Sequence, residues 1–439
     1  MNETVAIVMF PALFALVFLG LPVSFSLIVV SVVCGYAVFG DMIMLQLYGP
    51  LLSSASNFIL ASIPLFILMG ALLERSGIAL RLYEALQMWM GQLRGGLSVA
   101  TITMCALFAA SSGVVGAVEI VVGLMAIPAM MKYAYNKGLI AGTICAGGSL
   151  GTIIPPSVIV IVYSSIAQLS IGDLFAASII PGLLMVAFFL GYVLIRCWLQ
   201  PSAGPQAGRE TTDIPLALKI WYTVTAVLPA VALIITVLGS LLAGIASPTE
   251  AAAVGVLGAL ILSFGFRTLS PAMLGGALET TIRINAMIML IVVGGTMFTS
   301  TFSAAGGGRM VADLTETLGL DGYGLILFLL LIVFIAGFVM DWISIVLICV
   351  PIFTPLIKAA GIDEVWFAIM MLVVIQTSYL TPPMAPSIFY LRSVAPSEMN
   401  YGDMYRGVMP FVAMQLLVLL AVMIFPSIAT YLPDVLVGL

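Results

Sequence analysis

The sequence predicts an all-α protein that crosses a membrane many times and is built from two inverted repeats. Three observations predict this fold class: an apolar composition, long continuous apolar segments, and two matching interruptions in those segments. Of the 439 residues, 63% are hydrophobic and 8% are charged, whereas about 25% are charged in a soluble domain. A soluble protein of this length needs more polar surface to cover its core. The composition therefore argues against soluble enzymes and nucleic-acid-binding proteins.

Long apolar segments occupy most of the chain, and their pattern predicts helices. They are continuous, whereas the strands of a membrane barrel alternate apolar and polar residues. Backbone groups inside lipid must also be hydrogen-bonded within their segment, which favours helices. The candidate spans are 5–19, 23–39, 57–73, 139–166, 174–196, 221–244, 251–266, 284–302, 365–390 and 410–428. A polar segment rich in Pro and Gly, QPSAGPQAGRETTD, predicts a linker near the middle.

Two further apolar segments are interrupted in a way that predicts re-entrant helical hairpins. They cover residues 96–131 and 324–357. The first is interrupted at Ser111 and Ser112, and the second near Gly337 and Asp341. The first arm of the earlier hairpin measures only about 16 Å as a helix, which reaches the middle of a bilayer. Such hairpins are stable only where protein or a water-filled cavity surrounds them.

Each hairpin is followed by a candidate span that a pair of prolines interrupts. The two segments read GGSLGTIIPPS and QTSYLTPPMAPS. The predicted helix breaks are at Pro155, Pro156, Pro382 and Pro383. Proline removes a helical hydrogen bond and disfavours helix in the residue before it. Two breaks at corresponding places in the two halves are typical of a transporter binding site.

The two halves align at a nearly constant offset, which predicts an internal repeat. The offset is 227 between Pro155 and Pro382 (382 − 155 = 227). It is 229 between Pro181 and Pro410 (410 − 181 = 229). Repeats of this kind are common among transporters.

Charges at the bases of the hairpins predict that the repeats are inverted. The base of the first hairpin carries the basic residues Arg94, Lys132 and Lys137 and no acidic residue. The base of the second carries Asp321, Asp363 and Glu364 with one basic residue, Lys358. Because basic residues favour the cytoplasmic side, the first hairpin is expected to open to the cytoplasm and the second to the opposite side. The N-terminus is then outside.

The predicted organisation follows from these elements. An amphipathic arm helix in the membrane interface is predicted before each hairpin, at 74–91 and 306–319. The predicted parts are N-terminal scaffold helices (1–56), a first repeat (57–196) with its broken helix at 139–166, a cytoplasmic linker (197–220), scaffold helices (221–283), a second repeat (284–430) with its broken helix at 365–391, and a C-terminal tail (431–439).

Four motifs resemble those of one transporter family. They read IPLFILMGALLERSG, ASSGVVGAVE, GGSLGTIIPPS and LTPPMAPSIFYLRSVAP. Together they resemble the large membrane subunit of the tripartite ATP-independent periplasmic (TRAP) transporters, the DctM-like family, over almost the whole chain. The resemblance implies a sodium-driven secondary transporter of the bacterial inner membrane that works by an elevator mechanism. It also implies a small four-helix membrane subunit and a soluble periplasmic binding protein that delivers the solute.

Two clusters of hydroxyls and unwound backbone are candidate sodium sites, since Na⁺ is often bound where a membrane helix unwinds. The first consists of Ser111, Ser112, Gly148, Ser149, Gly151 and Thr152. The second consists of Gly337, Asp341, Thr377, Ser378 and Thr381. The alternative interpretation is that these small residues only allow close helix packing. Sodium is the only cofactor-like ion expected, and no other metal site or cofactor motif is expected.

Three charged residues have two interpretations each. Asp341 could bind a cation, or it could cap the second hairpin arm. Glu119 could have a functional role, or it could only pair with a cation. The solute is expected to be a small organic acid anion, which the N-terminal ends of half-helices attract. Arg392 could bind its carboxylate, or it could be a cytoplasmic anchor.

Other functions are left as alternatives. An ion channel can also contain broken helices, but two inverted repeats in one chain favour a single alternating-access site. A membrane enzyme is disfavoured because the chain contains no histidine and has only one Asp, Asp341, deep in a predicted membrane segment. Proton coupling is the lesser alternative to sodium, since it usually requires titrating His or buried carboxylates.

Overall fold

The computed structural model describes residues 2–112, 115–206 and 215–437, and within these ranges the chain is helical and contains no strand. The helices of the first half are α1 (Asn2–Phe18), α2 (Val23–Phe39), α3 (Ile43–Ala55), α4 (Ile63–Arg75), α5 (Ile78–Met90), α6 (Gly96–Ser112), α7 (Val115–Lys132), α8 (Lys137–Ser149), α9 (Val158–Ala167) and α10 (Ile171–Leu199). The helices of the second half are α11 (Leu216–Leu242), α12 (Pro248–Gly265), α13 (Pro271–Ala304), α14 (Gly307–Thr317), α15 (Gly322–Ala336), α16 (Trp342–Ala359), α17 (Glu364–Leu380), α18 (Pro386–Val394), α19 (Tyr401–Ile424) and α20 (Ser427–Val437).

Many of these helices are long and apolar enough to cross a membrane. By length and composition, seven segments of the described chain qualify, or eight if the pair α4 and α5, bent by 59°, is one span. Large apolar side chains within the long helices, such as Ile235 of α11 and Ile261 of α12, are exposed on the protein surface, as expected where lipid is the solvent. The prediction of an all-helical, multi-pass membrane protein is confirmed.

Four shorter apolar helices lie where the sequence predicts hairpins and breaks. The first hairpin arms α6 and α15 and the half-helices α9 and α17 have 10–17 residues each, fewer than the roughly 20 that a span needs. Each half of the chain has the same order of elements, which is arm helix, hairpin, broken helix and long helix. The tip of the first hairpin at 113–114 lies outside the described residues. The inverted arrangement of the halves stays a prediction.

Both arm helices begin after a glycine in the left-handed region. Gly77 has φ 74° before α5, and Gly306 has φ 89° before α14. Glycine adopts this conformation without the penalty that a side chain brings. The first arm therefore begins at Ile78, and the predicted start at Glu74 is wrong, since that residue still belongs to α4.

Three boundaries differ from the expected ones. Helix α3 was not expected, because its apolar run is short and contains Pro50. Helix α13 begins well before the predicted span at 284–302, since Ser270 caps it by accepting from the Met273 amide at 3.1 Å and Pro271 occupies its first position. Most of the predicted tail at 431–439 is helical, because α20 continues to Val437 and packs against α10.

Helices α8 and α19 cross with their backbones in contact. A methyl group built on Gly407 would collide with main-chain atoms of Gly138, and one built on Gly142 would collide with the carbonyl of Gly407. Small residues allow this close approach in membrane proteins. The contact joins the start of the first broken helix to the last long helix of the second half.

Replacing Gly407 with Ala is expected to destabilise the protein by about 1–3 kcal/mol, because backbone atoms cannot rotate away from the added methyl group. Thermal unfolding of the purified protein in detergent measures the effect. Gly239→Ala is the matched control, since a methyl group on Gly239 of α11 meets no described atom within 4 Å. Equal melting temperatures for Gly407→Ala and the wild type would contradict the close crossing.

Candidate functional site

Each proline pair lies between two helices that the structure separates. Helix α8 ends six residues before Pro155 (155 − 149 = 6) and α9 begins at Val158. Helix α17 ends at Leu380 and α18 begins at Pro386. The Pro155–Pro156 and Pro382–Pro383 peptide bonds are both cis. Residues 153–157 of the first break are mostly buried, whereas Pro383 and Met384 of the second break are exposed.

The predicted residues of the first sodium site that the structure describes lie together at the end of α8. Ser149, Gly151 and Thr152 are buried. Thr152 Oγ1 donates to the Ser149 carbonyl at 2.8 Å, and Ser157 Oγ donates to the Thr152 carbonyl at 2.8 Å. A methyl group on Gly151 would lie 3.9 Å from Ala109 Cβ, so the first hairpin arm faces the break.

Glu119 connects the first hairpin to both breaks. Its side chain is fully buried, and a methyl group on Gly148 would collide with it. Ser387 Oγ, just past the second break, donates to Glu119 Oε1. Its Oε2 has no hydrogen-bond partner in the described part of the chain. In the described part of the chain the hydrogen-bond partner of Glu119 is thus the Ser387 hydroxyl and not a basic side chain, and a functional role of Glu119 stays a prediction. The predicted ligands Ser111 and Ser112 have side chains outside the described residues.

Within the second predicted site, Gly337 of the second hairpin meets Ser378 beside the second break. A methyl group on Gly337, at the end of α15, would collide with the Ser378 side chain. Thr377, Ser378 and Thr381 each donate a hydroxyl to a main-chain carbonyl three or four residues earlier, at 2.7, 2.8 and 2.7 Å. Each hydroxyl oxygen keeps lone pairs for a further partner. The assignment of these oxygens to sodium stays a prediction.

Asp341 caps the second arm of the second hairpin. Its Oδ2 accepts from the Ile343 and Ser344 amides at 3.1 and 3.3 Å, and its Oδ1 accepts from Ser344 Oγ at 2.6 Å. Asp is favoured at this position because it satisfies amides that have no partner within the helix. These contacts agree with the capping interpretation of Asp341. A cation bound here would have to share the carboxylate oxygens with the two amides and the Ser344 hydroxyl.

Two glutamines for which no role was predicted contact the first site. Gln376 and Gln415 are fully buried, and their Nε2 atoms donate to Ser149 Oγ at 2.9 and 3.3 Å. Their Oε1 atoms have no partner among the described residues. The sequence did contain a feature that could have identified these two residues, since a glutamine inside an apolar helix is unfavourable unless it is hydrogen-bonded.

Arg392 contacts main-chain oxygens in the loop between α18 and α19. Its Nη1 donates to the Met399 carbonyl at 2.7 Å and to the Pro396 carbonyl at 3.3 Å. In the same loop, Lys137 Nζ donates to the Glu398 carbonyl at 2.8 Å. Both cations lie at the end of the protein that the charge pattern places in the cytoplasm. These contacts favour the anchor interpretation of Arg392 over a carboxylate partner.

A polar cavity of about 280 Å³ lies between α3, α9, α13 and α16. No charged side chain lines it among the described residues, and its neutral polar residues are Ser53, Ser54, Asn57, Ser165, Gln168, Thr296, Thr299, Ser300 and Ser303. Asn57 Nδ2 donates across the cavity wall to Ser165 Oγ at 2.8 Å. In the orientation that the charge pattern predicts, this cavity lies on the outer side of the membrane. The cavity was not predicted, since its lining comes from four separate parts of the chain.

Sequence comparison relates the chain to known permeases. Residues 10–428 match the family described as "Tripartite ATP-independent periplasmic transporter, DctM component". The C4-dicarboxylate TRAP transporter large permease protein DctM of Pseudomonas aeruginosa is 30% identical over 387 residues, 88% of each chain. The ectoine TRAP transporter large permease protein TeaC of Halomonas elongata is 29% identical over 433 residues, 97% of this chain and 98% of that one.

Two further proteins extend the comparison. The isethionate TRAP transporter permease protein DctMQ of Oleidesulfovibrio alaskensis is 30% identical over 381 residues, 86% of this chain and 59% of that one. The crystal structure of the Alcanivorax borkumensis YdaH transporter is similar with a TM-score of 0.64 over 98% of each chain. At 14% sequence identity, this last likeness shows the fold alone.

Proposed function

This chain belongs to the DctM family, the large membrane component of the tripartite ATP-independent periplasmic transporters, and we propose that it takes up an organic acid anion together with sodium ions by an elevator movement. It is the large permease subunit of a secondary transporter in the bacterial inner membrane. The pair of broken helices, each packed against a hairpin and each rich in hydroxyls, is the observation that carries the proposal. Such breaks bind solutes and coupling ions near the middle of a membrane.

The proposed partners follow from the three-part transporter that the family description names. They are a small four-helix membrane subunit and a periplasmic binding protein that delivers the solute. Relatives named for C4-dicarboxylate and isethionate support an acidic solute. The neutral polar cavity offers hydrogen-bond donors to such a solute on the outer side, where a binding protein would release it.

The proposed movement divides the protein into two parts. The fixed part consists of α1 to α4 and α11 to α13, in which α13 packs against α2, α3 and α4. The moving part contains the two hairpins and the two broken helices, α6 to α9 and α15 to α18. The cavity lies where α3 and α13 face α9 and α16, at the boundary between the two parts. A solute bound there would be carried when one part slides past the other.

Sodium is proposed as the coupling ion because the breaks offer neutral oxygens. Thr152, Thr377, Ser378 and Thr381 each have a hydroxyl that donates to the main chain and keeps acceptor capacity. A neutral cluster can bind an ion without titrating. A bound ion would also add positive charge near the helix ends, which raises affinity for an anion.

Uptake into proteoliposomes tests the proposal. Vesicles would contain both membrane subunits, the binding protein would be added outside, and radiolabelled succinate, isethionate and ectoine would be compared. An inward sodium gradient is expected to drive accumulation of at least one acid, and collapse of that gradient is expected to stop it. Equal uptake on a pH gradient without sodium would refute the sodium assignment in favour of proton coupling.

A further inference from the structure

A hydrogen bond joins the two helix breaks at positions that the internal offset makes equivalent. Gln376 Nε2 donates to Ser149 Oγ at 2.9 Å. Ser149 lies six residues before Pro155 (155 − 149 = 6), and Gln376 lies six residues before Pro382 (382 − 376 = 6). The bond therefore joins Ser149 of the first candidate sodium site to the residue directly before Thr377 and Ser378 of the second.

The Ser149 hydroxyl is saturated by its protein partners. It donates to the Ala146 carbonyl at 2.8 Å, and it accepts from Gln376 and Gln415. A serine hydroxyl has one donor and two acceptor positions, so all three are in use. The hydroxyl thus ties the end of α8 to α17 and α19, while the Ser149 carbonyl accepts from Thr152 in the turn that follows.

Gln376 also lies directly beside predicted residues of the second break. Thr377 and Ser378 follow it directly, and Ser378 packs against Gly337 at the tip of the second hairpin. The Gln376 side chain is fully buried. Burying an amide is unfavourable unless its hydrogen bonds compensate, and a leucine would fill similar space without that cost. The hydrogen bond from Gln376 Nε2 to Ser149 Oγ is the contact that compensates for burying this amide nitrogen.

We propose that Gln376 is a positioning residue that makes sodium binding at the two breaks cooperative. The inference rests on the sodium coupling proposed above. An ion at the first break orders the end of α8, including Ser149, and the amide bond passes that order to the end of α17. Because such coupling is reciprocal, an ion at the second break favours binding at the first by the same factor.

Binding of radioactive sodium to the purified full-length protein in lipid nanodiscs tests the inference without any solute. A coupling factor of about 5 to 150 between two equal sites gives a Hill coefficient of about 1.4 to 1.9. Gln376→Leu is expected to lower it to about 1 and to raise the half-saturating sodium concentration by about 2- to 12-fold. The amount of sodium bound at saturation is expected to stay the same.

Gln415→Leu is the matched control. It removes another buried amide that donates to the same hydroxyl at 3.3 Å, but Gln415 lies in α19, outside both breaks, so the Hill coefficient is expected to stay above one. Ser149 belongs to the predicted first sodium site, but protein partners use all three hydrogen-bonding positions of its hydroxyl, so Ser149→Ala cuts the same link from the other end without removing a free oxygen, and it serves if Gln376→Leu does not fold. It is expected to reproduce the loss of cooperativity, and the double variant is expected to add nothing further.

The outcomes separate this inference from the proposed function. If the wild type binds no sodium, both are overturned. If the wild type binds sodium with a Hill coefficient of one, or if Gln376→Leu and Ser149→Ala keep a coefficient above one, the coupling role is overturned and sodium transport stands. Loss of cooperativity in Gln415→Leu to the same extent would reduce Gln376 to a packing residue and would also overturn the inference.

Discussion

Bridging cysteines at positions 57 and 165 with mercuric ion is expected to reduce solute uptake to the level of empty vesicles. The Asn57 amide lies 2.8 Å from the Ser165 hydroxyl, so the thiols of Asn57→Cys and Ser165→Cys are within reach of one mercury atom. Asn57 follows α3 in the proposed fixed part, and Ser165 lies in α9 of the proposed moving part. Elevator transport requires these parts to slide past each other, and a covalent bridge prevents the movement. Uptake would be measured in a variant whose five native cysteines are replaced.

A second cysteine pair supplies the control for this prediction. The hydroxyls of Ser54 and Thr296 lie 3.0 Å apart, but α3 and α13 both belong to the proposed fixed part. Both side chains also line the cavity proposed to bind the solute, so mercuric ion on Ser54→Cys with Thr296→Cys is expected to raise the solute concentration for half-maximal uptake but to leave the maximal rate unchanged, and a thiol reductant is expected to restore uptake in the first pair. Full uptake by the bridged 57–165 pair would contradict an elevator movement along this boundary.

The removal of a hydroxyl at either break is expected to weaken sodium binding strongly. Thr152→Ala and Ser378→Ala are each expected to raise the sodium concentration for half-maximal uptake by about 5- to 150-fold, as for the loss of one buried polar contact worth about 1–3 kcal/mol. Both hydroxyls donate to a carbonyl three residues earlier, at 2.8 Å, which leaves the oxygen lone pairs for a cation. Sodium titrations of the initial uptake rate measure the effect.

Thr236→Ala is the matched control for these variants. Thr236 Oγ1 donates to the Ala232 carbonyl at 2.7 Å, so the local hydrogen bond is of the same kind, but the residue is on α11, away from both breaks. Its sodium dependence is expected to equal that of the wild type. If Thr152→Ala and Ser378→Ala also match the wild type, the sodium sites lie elsewhere in the protein.

The position of most elements followed from local sequence. Lipid imposes a length on each apolar helix, so short apolar segments before a proline pair or an interruption indicated hairpins and breaks. The structure has helix ends at these places, such as Ser149 and Leu380. Asp341 was also readable as a cap, because capping depends on amides two and three residues away. Helix α3 was missed because Pro50 and a short apolar run hide a helix that packs against α13.

The composition class, the family motifs, the two breaks and their hydroxyls were predictable from the sequence, since each of these depends on residues that are neighbours in the chain. Which of these residues meet depends on how the helices pack. Glu119 is bonded to Ser387, and Ser149 to Gln376, over separations of 268 and 227 residues. The lining of the polar cavity likewise comes from four separated helices. Such contacts depend on how whole helices pack, and a single sequence records helix periodicity and length but not the packing partner of each face.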